Sequence, residues 1–255
     1  MLLFLGIMIP LIGTILGASM VFFFKDNMPI IIEKVLYGFA SGVMIAASIW
    51  SLLLPAIDMS EKQGICSWIP ASIGFILGML MLMIINYYIG KLYDFSEEKY
   101  SGLKKIFMLV FAVTLHNIPE GMAVGVVFAG VIFQNTLVSM AGAFSLAIGI
   151  AIQNFPEGAI VSIPLKGYNI SNRKSFVIGS LSGIVEPISA IITIILVNSV
   201  VIILPYLLSF AAGAMIYVVV SDLIPESQSG EKSFWGITGV MVGFVLMMIL
   251  DVVFS

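Results

Sequence analysis

The chain has 255 residues, 60% of them hydrophobic and only 10% charged, with a mean hydropathy of +1.16 and a net charge of −3. A soluble domain covers its surface with about 25% charged residues, so this composition excludes a water-bounded globule and requires lipid around most of the molecule. No basic run is long enough for nucleic acid, and the single cysteine, Cys66, has no partner for an intrachain disulfide.

A helical crossing takes about 20 mostly apolar residues, and eight stretches qualify in chain order. The first, about 2–24, has no early positive charge and no small-residue cleavage site. Its apolar run is longer than a signal-peptide core, so it reads as a retained span. The second, about 36–57, carries Phe39-Ala40-Ser41-Gly42-Val43-Met44-Ile45; the third covers about 68–90. The fourth, about 104–129, contains His116-Asn117-Ile118-Pro119-Glu120-Gly121. The fifth, about 136–164, contains Gln153-Asn154-Phe155-Pro156-Glu157-Gly158. The sixth, about 174–198, holds Glu186-Pro187, the seventh, about 202–224, holds Phe210-Ala211-Ala212-Gly213-Ala214-Met215-Ile216, and the eighth covers about 234–254. The breaks at 131–135 and 199–201 carry no charge and are the weakest. No composition shift divides the chain, so residues 1–255 read as one polytopic membrane domain.

Orientation follows from the basic residues. Loops after spans 1, 3, 5 and 7 hold Lys25, Lys34, Lys91, Lys99, Lys104, Lys105, Lys166, Arg173, Lys174 and Lys232, against Lys62 alone on the other side. This bias places both termini outside and the 91–105 loop in the cytoplasm, in a cell (plasma or inner) membrane. Glycine pairs at Gly13/Gly17, Gly74/Gly78, Gly121/Gly125, Gly179/Gly183 and Gly239/Gly243 predict faces where helices approach closely.

The hexads of spans 4 and 5 share Asn, Pro, Glu and Gly in register, on helices that run in opposite directions. Spans 2 and 7 echo each other in the same inverted sense. The predicted fold is therefore an all-α membrane protein of eight transmembrane helices, with spans 1–3 mirrored by 6–8 around central, kinked helices 4 and 5. Inverted repeats with a broken-helix site at mid-membrane are a transporter pattern.

The chemistry of these positions points the same way. A carboxylate at mid-bilayer costs at least about 2.5 kcal/mol on insertion scales. Glu120, Glu157 and Glu186 fall in the middle of spans with no Lys or Arg mid-span. They are either protonated or balanced by a bound cation. His116 and Glu120 are one turn apart and share a helix face, as do Gln153 and Glu157. Pro119 and Pro156 remove backbone donors and free the carbonyls of Leu115 and Ile152. Imidazole suits zinc and similar first-row metals, and carboxylate and amide oxygens add harder ligands. A lone histidine in an apolar helix is more often a core residue, but this one is the only histidine and lies a turn from a buried glutamate in a duplicated motif. Asn117, Gln153 and Asn154 are candidate ligands whose plainer role is bridging helices. Met44 is one of 16 methionines and on periodicity alone reads as core. Asp58, Glu61, Asp222, Glu226 and Asp251 read chiefly as interfacial acids.

The HNIPEG of span 4, the partly matching QNFPEG of span 5 and the EPIS of span 6 resemble the ZIP (Zrt/Irt-like) family of metal transporters, over essentially the whole chain. The missing His-rich 3–4 loop resembles the compact bacterial, GufA-like branch. The resemblance implies transport of Zn²⁺, and often Cd²⁺, Fe²⁺ or Mn²⁺, towards the cytoplasm through a binuclear site between spans 4 and 5. It implies one ion held by His116, Glu120, Gln153 and Glu157 with Met44 nearby, and a second held by Asn117, Glu120, Asn154, Glu157 and Glu186. Many members have His where this chain has Gln153, which softens the first site. The metal is then a transported substrate and no bound cofactor is expected. The implied partners are divalent ions and the bilayer, with a homodimer left open. An intramembrane metalloprotease would need His-Glu-x-x-His, which a chain with one histidine lacks. The rival readings are a proton-coupled carrier of another small solute and a non-transporting membrane scaffold.

Overall fold

The computed structural model describes residues 2–23, 29–94, 101–132, 139–167, 170–197 and 203–254. Long apolar runs in lipid have no water to satisfy their amides, so they close their hydrogen bonds within helices. The described residues are helical throughout apart from short turns. In chain order the helices are α1 (Leu2–Phe22), α2 (Ile30–Lys62), α3 (Trp68–Asp94), α4 (Ser101–Ile132) and α5 (Met140–Gly167). They continue with α6 in two pieces, α6a (Asn172–Ser182) and α6b (Val185–Val197), then α7 (Leu204–Gln228) and α8 (Ser233–Phe254). Among the described residues, seven of these are long and apolar enough to cross a membrane, and α4 adds the apolar stretch Asn117–Ile132.

Local chemistry explains several boundaries. Pro29 lies immediately before α2, and Pro205 is in the first turn of α7, where a missing N–H costs nothing. Ser139 caps α5, its Oγ accepting the Gly142 N–H at 2.8 Å. Inside α2 the helix widens to a π turn at Ser48–Leu53, just ahead of Pro55. Inside α7 it does so at Val219–Leu223, just ahead of Pro225. Proline cannot donate to the carbonyl one turn back, and a local π adjustment absorbs the mismatch. Gly64 (φ 71°) and Gly230 (φ 63°) turn the chain just beyond α2 and α7, in a left-handed conformation that suits glycine.

Two expectations shift. Lys34, predicted in a loop, lies in α2 because that helix starts at Ile30 and not near 36. Lys34 is buried, and its Nζ donates to the Glu226 carbonyl and to Ser229 Oγ at the end of α7. The ammonium therefore meets the negative end of a helix. The second is an interruption that the sequence did not predict, while α4 and α5 continue as helices through Pro119 and Pro156. The interruption comes in α6, at Gly183 and Ile184.

Packing follows glycine. α1 lies along α5, α4 along α6, α2 along α8, and α3 along α7. A Cβ on Gly17 would lie 1.9 Å from the Phe155 carbonyl oxygen, and one on Gly78 would lie 2.0 Å from that of Phe210. Only glycine permits such backbone contact. Gly121 and Gly125 face α6b, and Gly239 and Gly243 face α2, in the same way. The interior mixes alanines with larger side chains such as Met44, Phe128, Leu146 and Met215, whereas α3, α6b and α8 turn Ile, Leu, Met and Val outward. α5 is the most enclosed of the spanning helices, and α3 and α8 are among the least.

Candidate metal centre

α4, α5 and α6 bring the two hexads and Glu186 together in the interior. Asn117, Glu120, Gln153 and Asn154 are fully buried; Glu157 and Glu186 are 6% and 1% exposed.

Hydrogen bonds fix which way the amides face. Asn117 Nδ2 donates to the Ser182 carbonyl at 3.0 Å. Asn154 Nδ2 donates to the Pro10 carbonyl at 3.4 Å. A carbonyl can only accept, so each NH₂ must lie on that side and each amide oxygen on the other. Gln153 Nε2 donates to Glu120 Oε1 and, at 3.4 Å, to Asn154 Oδ1. Five oxygens remain buried without a donor: Asn117 Oδ1, Glu120 Oε2, Gln153 Oε1, Glu157 Oε2 and Glu186 Oε2. An unsatisfied buried polar group costs about 1–3 kcal/mol, more when charged. Five such acceptors come from one pair of motifs and the helix beside it, and either a cation or protons on the carboxyls would satisfy them.

The break in α6 builds one wall of this cluster. It leaves the Ser182 carbonyl free for Asn117, and the Glu186 N–H closes on the Gly183 carbonyl at 3.1 Å. Glu186 thereby sits in the first turn of α6b. Thr14 of α1 donates its hydroxyl to Glu186 Oε1 at 3.1 Å. Sequence reasoning passed over Thr14; the signal available was a lone buried-range hydroxyl between Gly13 and Gly17 on an otherwise apolar face.

Met44 is fully buried in α2 within the main apolar cluster. The His116 side chain lies outside the described residues, although its backbone belongs to α4. Among the described residues no three His, Cys, Asp or Glu side chains gather around one ion-sized point. Asp58 and Asp251 line a cavity of about 360 Å³ with Trp50, Ser51 and Met59, between α2, α4, α5, α7 and α8. Ser51 Oγ donates to Asp251 Oδ1 at 2.5 Å there. Glu61 and Glu226 are exposed near the ends of α2 and α7, and Ser221 Oγ donates to Asp222 at 2.9 Å.

Residues 94–251 match the family model described as ZIP Zinc transporter. The chain is 34% identical to zinc transporter ZIP11 of Xenopus tropicalis over 95% of its length and 96% of that protein's. It is 35% identical to zinc transporter GufA of Myxococcus xanthus over 79% of each chain. It is 30% identical to zinc transporter ZIPB of Bordetella bronchiseptica, over 86% of its own length and 71% of the relative's. With the two hexads buried side by side and the family match covering residues 94–251, the chain belongs to the ZIP family, a family of membrane transporters and not of enzymes, and is related to its GufA branch.

Proposed function

We propose that this protein carries divalent transition-metal ions, zinc foremost, across the membrane and into the cytoplasm through the cluster between α4, α5 and α6. The observation that carries the reading is the set of five donor-less oxygens on Asn117, Glu120, Gln153, Glu157 and Glu186. A dication supplies the charge and the coordination that these groups lack. The relatives' names support zinc as the first ion. Cd²⁺, Fe²⁺ and Mn²⁺ are further candidates that the family resemblance implies.

In this reading one ion is held by His116, Glu120, Gln153 and Glu157, with Met44 nearby. A second is held by Asn117, Glu120, Asn154, Glu157 and Glu186. Oxygen ligands with a single imidazole hold metal loosely enough to release it, unlike a thiolate cage. Both termini lie outside and the 91–105 loop inside. The cavity beside Asp58 and Asp251 then opens towards the outer side and serves as the entrance. An inside-negative potential of 100 mV favours entry of a dication by about 4.6 kcal/mol.

Alternating access rests on an inverted repeat. Exchanging 1 with 6, 2 with 7, 3 with 8 and 4 with 5 turns the α1–α5 contact into α6–α4, and α2–α8 into α7–α3. The π turns before Pro55 and Pro225, and the left-handed Gly64 and Gly230, also correspond. These regularities support two related halves. The pairs fall into two bundles, α1/α4/α5/α6 and α2/α3/α7/α8, which supports movement of one against the other.

The test is zinc uptake into vesicles containing the purified protein. Glu120→Gln keeps the shape and removes the charge. Altered outer-shell partners alone cost about 10–100-fold at metal sites, so this loss should reach at least about 100-fold. Wild-type rates in Glu120→Gln and in His116→Ala would refute the site.

A further inference from the structure

We propose that Thr14 of α1 is a positioning residue for this site, holding one oxygen of Glu186 so that the other is presented to the ion. The proposal rests on the metal-site reading above and adds a helix, α1, that contributes none of the assigned ligands.

Buried hydroxyls in helices ordinarily bond the carbonyl one turn back. Ser41, Ser48, Ser60 and Thr114 all do so here at 2.7 Å. Thr14 does not follow them. Its contact with the Pro10 carbonyl is stretched to 3.5 Å, and its shorter bond, 3.1 Å, crosses to Glu186 Oε1. The Pro10 carbonyl receives the Asn154 amide instead. One turn of α1 therefore touches two site side chains, at 1% exposure for Thr14.

Two glycines make the contact sterically available. A Cβ on Gly158 would lie 2.2 Å from the Thr14 carbonyl oxygen, so α1 can approach α5 this closely only over glycine. A Cβ on Gly183 would lie 2.7 Å from Thr14 Oγ1 and 2.9 Å from Glu186 Oε1, between the two bonded groups. The hydroxyl occupies Oε1 and leaves Oε2 without a donor. A carboxylate held at one oxygen loses less rotational freedom when a metal takes the other, and its ligand geometry is fixed beforehand.

Zn²⁺ titration of the purified full chain, paired with metal-free thermal melting and vesicle transport, tests this. Thr14→Val removes the hydroxyl at constant volume and should weaken Zn²⁺ affinity about tenfold. It should raise the KM for transport by a similar factor with little change in kcat. Thr14→Ser restores the hydroxyl and should bring affinity back to within about threefold of wild type. Gly183→Ala should reproduce the Thr14→Val loss from the other side of the contact, and it serves where Thr14→Val does not fold. A lower melting temperature with unchanged affinity in Thr14→Val, or no rescue by Thr14→Ser, overturns the proposal. If Glu186→Gln loses affinity while Thr14→Val and Gly183→Ala do not, the positioning role fails and the metal site stands. If Glu186→Gln binds both ions as wild type, the positioning role and the second ion's site fail, and Glu120→Gln decides the first ion's site.

Discussion

One oxygen of the Glu120 carboxyl accepts from the Gln153 amide and the other accepts from nothing. At this scale the Gln153 side chain is a compromise. Its NH₂ neutralises part of the acidic cluster, while its oxygen adds one more unpaired acceptor. An imidazole at that position would contribute a better zinc ligand. Gln153→His should therefore tighten Zn²⁺ binding, by about tenfold as judged from second-shell and ligand effects at metal sites. Competition titrations against Cd²⁺ and Mn²⁺ would show the gain concentrated on zinc. No gain for Zn²⁺ would mean that residue 153 does not touch the ion. The same ligand chemistry sets a pH sign. Metal binding requires neutral imidazole and ionised carboxylates, so protons compete with the ion. Zn²⁺ affinity should fall steadily as pH is lowered from about 7.5 to about 5.5, and a flat profile would exclude His116 and the glutamates together.

At the scale of helices, what holds the molecule together is contact between backbones. Lipid tails are as apolar as leucine, so burial of large side chains drives helix association weakly in a membrane. Close approach over glycine supplies the dispersion contacts instead. Gly158 and Gly179 illustrate how sharply this depends on position. A methyl at Gly158 would meet backbone at 2.2 Å and 2.8 Å, whereas one at Gly179 would meet two side-chain carbons at 3.0 Å and 3.1 Å. Gly158→Ala should cost about 1–3 kcal/mol through overpacking and separate α1 from α5. Gly179→Ala should be close to neutral. Thermal melting in detergent or nanodiscs reads the difference, and equal destabilisation would show that the α1–α5 contact is looser than 2.2 Å implies. The sequence announced most of these glycine pairs, but their partners were hidden, because spacing along one helix says nothing about which neighbour it faces.

The whole molecule adds orientation and enclosure. Cys66, the chain's only cysteine, is exposed in the short connection between α2 and α3. On the proposed orientation that connection lies outside. A membrane-impermeant maleimide should label Cys66 in intact cells without any engineered cysteine, and Cys66→Ser should abolish labelling. Labelling only after permeabilisation would reverse the orientation and with it the assignment of the cavity near Asp58 as an entrance. Lys34 bears on the same point, because the positive-inside count treated it as a loop charge. Its ammonium is instead committed to the end of α7. The remaining nine basic residues on that side still outnumber Lys62, so the predicted orientation does not depend on it.

The length of each apolar run was enough to nominate the helices, because in a bilayer each crossing must satisfy its own backbone regardless of its neighbours. The duplicated Asn-Pro-Glu-Gly motif was likewise enough to nominate the acidic cluster, since carboxylates without basic partners in mid-span demand a charge from elsewhere. The break in α6, the orientation of Asn117 and Asn154, and the reach of Thr14 to Glu186 across 172 residues were decided only by tertiary packing. These depend on which carbonyls and hydroxyls lie within hydrogen-bond distance once glycine lets the helices touch, and no local pattern carries that distance.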